Sequence, residues 1–126
     1  MKELRFYICE HCGNIVYKIE DAGVAVVCCG EKMKCLEPGT VDASREKHIP
    51  VITSGEGQIT VSVGSAAHPM TNEHGIRWVC LRTEDTVSFK YLSSGSQPNV
   101  SFYEPHSGGA EVYAYCNLHG LWKAVI

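Results

Sequence analysis

No stretch of this chain approaches the roughly 20 consecutive apolar residues that a membrane-spanning helix needs, so a role built on helical membrane spans is excluded. Basic charge is not in excess: the formal net charge is −3, and no lysine–arginine surplus points to nucleic acid. The opening residues Met1–Cys9 lack the apolar core of a signal peptide and meet a cysteine almost at once, which predicts a cytoplasmic protein. Internal repeats and low-complexity tracts are missing, and no helix longer than a turn is predicted.

What is present is a globular composition, 44% hydrophobic and 20% charged over 126 residues. That length suits one ordinary domain, or one domain plus a small module that needs a staple. Seven cysteines are many for a short cytoplasmic chain, and an odd number fits a disulfide framework poorly. Metal ligation is the better reading, with six histidines available as further ligands.

The chemistry is unevenly spread. Cys9, Cys12, Cys28, Cys29 and Cys35 lie at the start, whereas five of the six histidines lie from His48 onward. The turn-like Glu37-Pro38-Gly39-Thr40 marks the boundary, giving expected domains 1–37 and 38–126. The first segment alternates short β-type runs (Leu4–Ile8, Ile15–Ile19, Val24–Val27) with turns, and it is too small to fold without a cross-link. The second reads as all-β. Gln58–Gly64 alternates with period two, and Ile76–Leu81, Thr86–Leu92, Asn99–Tyr103, Glu111–Tyr115 and Leu121–Val125 follow with Gly, Pro, Asn or Ser between them. An antiparallel sandwich or barrel is expected.

Cys9-Glu10-His11-Cys12-Gly13 is a C-x-x-C knuckle closed by glycine, and Cys28-Cys29-Gly30 is a second, adjacent pair. Four thiolates suit a tetrahedral soft-ligand site for zinc or a single iron. A metal there would also supply the missing cross-link. Neighbouring residues can grip one ion only under strain, so one structural knuckle plus two buried cysteines is the bland alternative. Cys35 in place of Cys28 or Cys29, and His11 as a ligand, are further alternatives.

Four stretches stand out in the β segment: Glu46-Lys47-His48, His68-Pro69-Met70, Glu73-His74-Gly75 and Cys116-Asn117-Leu118-His119-Gly120. Each histidine falls at a strand end or in a loop, where several loops can converge on one point. Imidazole and thiolate together favour a transition metal. Five protein ligands are too many for zinc, whereas on six-coordinate iron they leave one position open for a small oxygen species. Satisfied loop histidines are the alternative. His106 is set aside, and Cys80 is read as a small core residue.

At these residues the sequence resembles the desulfoferrodoxin family of two-iron superoxide reductases, over the whole chain. Cys9-x-x-Cys12 and Cys28-Cys29 are similar to that family's rubredoxin-like centre in a desulforedoxin-like module. Glu46-Lys47-His48, His68-Pro69-Met70, His74 and Cys116-Asn117-x-His119-Gly120 are similar to the catalytic segment of a neelaredoxin-like domain. The resemblance implies an immunoglobulin-like sandwich and two iron ions per chain. One iron would sit on the four cysteines. The other would have His48, His68, His74 and His119 equatorial and Cys116 axial. It implies reduction of superoxide to hydrogen peroxide, a homodimer, and rubredoxin as electron donor.

Two residues are expected to act beside the second iron. Lys47 precedes a ligand, and its cation can draw in an anionic substrate; a solvated surface lysine is the plainer reading. Glu46 is a hard oxygen ligand that could enter and leave the open position, or be an exposed loop carboxylate. The four-cysteine centre has no open position, which leaves it electron relay or scaffolding. Competing classes are a non-catalytic iron electron-transfer protein and a structural zinc-ribbon protein.

Overall fold

The computed structural model describes residues 3–39, 45–55, 57–64, 66–103 and 108–126. It divides into two compact units, Met1–Glu37 and Pro38–Ile126.

In the first unit, β1 (Phe6–Ile8) pairs antiparallel with β2 (Ile15–Tyr17) on one side. Two residues each form β3 (Val27–Cys28) and β4 (Glu31–Lys32), a hairpin that turns through Cys29 and Gly30. The chain then returns as β5 (Lys34–Leu36), which pairs with the other side of β1. Among the described residues of this unit only Leu4, Phe6 and Cys9 are buried apolar side chains. So small a core cannot offset the entropy of ordering the segment, and a cross-link is required. The run expected from Val24 becomes strand only at Val27, and the run from Ile15 ends at Tyr17. The sequence pattern does not predict β5, because three residues are too few to show a period and their pairing with β1 is made from a distance in sequence.

The second unit begins its described part with α1, a single turn over Arg45–His48. Seven strands follow: β6 (Pro50–Gly55), β7 (Gln58–Val63), β8 (Ile76–Arg82), β9 (Val87–Tyr91), β10 (Asn99–Phe102), β11 (Glu111–Cys116) and β12 (Gly120–Val125). They form two antiparallel sheets, ordered β10-β7-β6 and β12-β11-β8-β9. Three strands against four in this order is an immunoglobulin-like sandwich. The alternation in β7 does what its pattern demands: Ile59, Val61 and Val63 point into the core while Gln58, Thr60 and Ser62 do not. Facing them are Val79 and Leu81 of β8 and Val112 and Ala114 of β11, with Phe102 of the neighbouring strand β10 beside Ile59. The first strand, β6, escapes sequence reading because it opens on Pro50 and runs along a sheet edge, largely exposed, with no inward–outward contrast.

Two contacts carry this scaffold to the site. Gly64 follows β7 with φ +80°, and a Cβ there would lie 2.6 Å from the carbonyl carbon and oxygen of Lys47 and 2.7 Å from the Glu46 oxygen. Only glycine lets β7 press so close to α1. Gly64 N–H also donates to Ile49 O (3.0 Å), and Ala66 N–H to Glu46 O (2.8 Å). Among the described residues no helix is long and apolar enough to cross a membrane.

Candidate metal centres

The Cys9–Cys12 knuckle sits after β1, where Cys9 N–H donates to Asn14 O and Gly13 N–H to Cys9 O, both at 2.9 Å. The second pair lies at the tip of the β3–β4 hairpin. In an extended chain two successive side chains point to opposite faces. Here Cys29 is left-handed, with φ 53°, which breaks the alternation and brings both sulfurs to one side. The strain expected of an adjacent pair is therefore held in the backbone of Cys29. All four Sγ atoms lie within 4.8 Å of one another, and Cys12 Sγ is 3.6 Å from Cys28 Sγ. Tetrahedral sulfurs on metal–sulfur bonds of about 2.3 Å stand about 3.8 Å apart, so the donor set fits one ion.

The electrostatics point the same way. Backbone N–H groups of Cys12, then His11, pull the Cys9 thiol down to about 6. Cys29 is pushed up to about 12, chiefly by the neighbouring sulfurs of Cys9, Cys12 and Cys28. One thiolate forms readily, but a fourth requires a cation among them. The Nδ2 of Asn14 donates to Cys28 Sγ at 3.7 Å. Cys35 and His11 are outside this cluster. The His11 imidazole instead meets the Glu31 carboxylate at 3.1 Å, and Cys35 is a half-buried partner of Tyr7 in the β1–β5 pair.

The second centre gathers His48, His68, His74, Cys116 and His119, whose donor atoms also lie within 4.8 Å of one another. The four imidazoles form a closed ring of edge-to-face neighbours. His48 meets His68 (4.6 Å between centroids, 81°), His68 meets His74 (4.8 Å, 76°), His74 meets His119 (4.9 Å, 79°), and His119 meets His48 (4.9 Å, 86°). His48 is thus across the ring from His74, and His68 across from His119. His48 Nε2 is 3.0 Å from His68 Nε2 and 3.2 Å from His119 Nδ1. Nitrogens at right angles on metal–nitrogen bonds of about 2.1 Å would be about 3.0 Å apart, so this set also fits a single ion. Cys116 Sγ lies 3.9 Å from His119 Nδ1, supplying the one soft donor.

Each ring is aimed by something different. His48 ends α1 and stacks on the buried Trp122 (4.9 Å, 22°), whose indole N–H donates to His119 O at 3.1 Å. The His68 Nδ1–H donates to Pro69 O at 2.6 Å, which leaves the Nε2 lone pair for the site. His74 Nε2 is buried with no hydrogen-bond partner. An orphaned buried acceptor is costly unless something takes its lone pair, and a metal ion held by this donor set would do so. Burial first, and then the facing charges of His48, His74 and His119, hold His68 down to about 4. His74 is lowered for the same leading reason, with charges on His119, His48 and Lys47 adding to it. At His68 and His74 the surroundings favour the neutral imidazole, the state that ligates. Glu46 and Lys47 lie exposed on α1, directly before His48.

Trp122 and Gly64 shape the site without having signalled it. The stack and the close approach join residues far apart in sequence, and neither residue has metal chemistry of its own. Cys80 is fully buried in β8 with its thiol pushed up to about 12 by that burial, consistent with a small core residue. His106 lies outside the described residues.

Residues 40–125 match the family model described as Desulfoferrodoxin, and residues 1–36 match the Desulfoferrodoxin N-terminal domain. A desulfoferrodoxin of Syntrophotalea carbinolica is 43% identical over 123 residues, covering 98% of this chain and 97% of that protein. Among solved structures, the superoxide reductase from Treponema pallidum aligns with a TM-score of 0.79 at 39% identity, covering 98% of this chain and 99% of that one. A one-iron superoxide reductase from Giardia intestinalis aligns with a TM-score of 0.58 at 26% identity, over 64% of this chain and 97% of its own.

Proposed function

This chain belongs to the desulfoferrodoxin family, and from that premise we propose that it is a superoxide reductase carrying two iron ions. The observation that carries the reading is the closed ring of four imidazoles with one cysteine sulfur among their donors. Cys9, Cys12, Cys28 and Cys29 would hold one iron in a module spanning 1–37. His48, His68, His74, His119 and Cys116 would hold the other in a catalytic domain spanning 38–126. Bound there, iron supplies a one-electron reductant whose potential is tuned by the thiolate.

The balanced reaction is one superoxide plus one electron plus two protons giving one hydrogen peroxide. The chain's own residues set the conditions for it. Imidazole donors bring no negative charge of their own to a bound iron, and Cys116, ligating as a thiolate, would bring a single one. Lys47 offers an exposed ammonium close enough to act electrostatically on His74, so an anionic substrate is drawn to the mouth of the site. Glu46, beside it, offers a carboxylate that would serve as an exchangeable hard oxygen ligand for the bound iron. The four-cysteine centre is saturated by protein donors and serves as relay or scaffold. Rubredoxin as donor, a homodimeric assembly and a cytoplasmic setting complete the proposal.

Pulse radiolysis of the reduced protein tests it: superoxide should disappear in a second-order reaction that yields peroxide without oxygen. A reduced centre indifferent to superoxide would instead mark a pure electron carrier. Lys47→Ala should slow that reaction and flatten its ionic-strength dependence, and an unchanged rate would remove Lys47 from the mechanism.

A further inference from the structure

Two ligands of the second centre, one in a loop and one at a strand end, are distant in sequence but adjacent in space. His74 is flanked by Glu73 and Gly75 just before β8, and Cys116 ends β11. The β8–β11 ladder slips there, pairing Tyr115 with Trp78 but Cys116 with Ile76. A slipped ladder leaves backbone groups without their regular partners. Just before β8, outside that ladder, one side chain bridges the two segments. The Asn117 Nδ2 donates to Glu73 O at 2.8 Å, and its Oδ1 accepts from Gly75 N–H at 2.9 Å. Asn117 N–H itself donates to Gly75 O at 3.3 Å. A carbonyl on one side and an N–H on the other permit only one orientation of the amide.

Asn117 therefore grips the peptide groups on both sides of His74 while being covalently joined to Cys116. Other bonds tie the earlier part of this loop to its neighbours, with Arg77 Nη2 of β8 donating to Asn72 O, Ile76 N–H to Met70 Sδ and Gly95 N–H to Met70 O, and three more are internal to it. Thr71 N–H donates to His74 O (2.8 Å), Thr71 Oγ1 donates to the same oxygen (3.1 Å), and His74 N–H donates to Thr71 Oγ1 (3.0 Å). The internal bonds give the loop its form and the others hold it to β8 and Gly95, but none of them reaches Cys116 or Asn117. Gly75 allows the close packing, since a Cβ there would lie 3.1 Å from Thr71 O.

We infer that Asn117 is a positioning residue for the iron site, setting the separation between His74 Nε2 and Cys116 Sγ before metal arrives and so controlling how firmly His74 is held. The inference rests on the reading of this centre as an iron site. It concerns metal retention, not the reaction with superoxide, so the two stand or fall separately.

The experiment uses the full two-iron protein, with iron release to a ferrous chelator followed optically and the four-cysteine band as an internal control of folding. Asn117→Ala should release iron from the histidine–cysteine centre about 10- to 100-fold faster, the range expected when a group supporting a ligand is removed. Its thiolate-to-iron absorption should shift as well, with the four-cysteine band unchanged. Asn117→Asp keeps the acceptor for Gly75 N–H but loses the donor to Glu73 O, and should fall between Ala and the parent. Graded release with a shifted band supports the assignment, because a loss of general stability would not order the variants this way or move that band. Release and band unchanged in Asn117→Ala overturn it. If that variant does not fold, parent-like release from Asn117→Asp overturns it equally, whatever the pulse-radiolysis result for the parent.

Discussion

Gly64→Ala puts the scaffold under the most direct test. A Cβ at this position would stand 2.6 Å from the Lys47 carbonyl group and 2.7 Å from the Glu46 oxygen. Both are backbone atoms that cannot rotate away, so α1 must retreat by on the order of 1 Å to restore ordinary contact. Alanine at φ +80° adds about 1–2 kcal/mol of left-handed strain, and crowding adds about 1–3 kcal/mol. A loss of about 2–5 kcal/mol is expected, together with displacement of His48. A misplacement of that size costs about 100-fold in a reaction that depends on alignment. Gly57→Ala is the control: φ is +74°, but nothing lies within 4 Å of its Cβ, so only the strain applies. Urea unfolding of the apo-proteins gives the stability difference, and stopped-flow mixing of the reduced iron proteins with superoxide gives the rate. If Gly64→Ala matched Gly57→Ala in stability and kept the parent's rate, the close approach would have no part in holding α1.

Two further outcomes follow from the same geometry. His68 is held down to about 4 in the fold, against an ordinary value of about 6.5. Between those values the unfolded chain binds a proton that the folded chain refuses. Apo-protein stability should thus be complete above about pH 6.5 and fall as pH drops through about 4, with His74 acting in the same direction. Stability measured by denaturant across that window, with imidazole titration by NMR, checks this; a flat profile would contradict the burial argument. At the other centre, Asn14→Ala removes the N–H···S bond to Cys28 that disperses charge on the sulfur. The reduction potential of the four-cysteine iron should become more negative in an optical redox titration, and an unmoved or more positive potential would count against the bond.

Much of the site could be read along the chain because ligand chemistry is local. Cys9-x-x-Cys12, Cys28-Cys29 and Cys116-x-x-His119 each place donors within a turn of one another, and histidines beside proline or glycine announced the loops. The period-two alternation of Gln58–Val63 was enough to orient that strand, since a half-buried strand must show it. The edge strand Pro50–Gly55 and the three-residue Lys34–Leu36 stayed hidden because their partners, not their composition, make them strands.

What the sequence by itself determined is the inventory: two donor sets and the β architecture. Spacing over a few residues and the period of a strand are enough for that. The tertiary structure alone decided which imidazole faces which, that Cys29 turns left-handed to join Cys28, that Gly64 admits α1, and that Asn117 clasps the His74 loop. Each of those depends on the separation of segments brought together by sheet packing. His48 and His119 are 71 residues apart and meet at 3.2 Å only because the two sheets close between them.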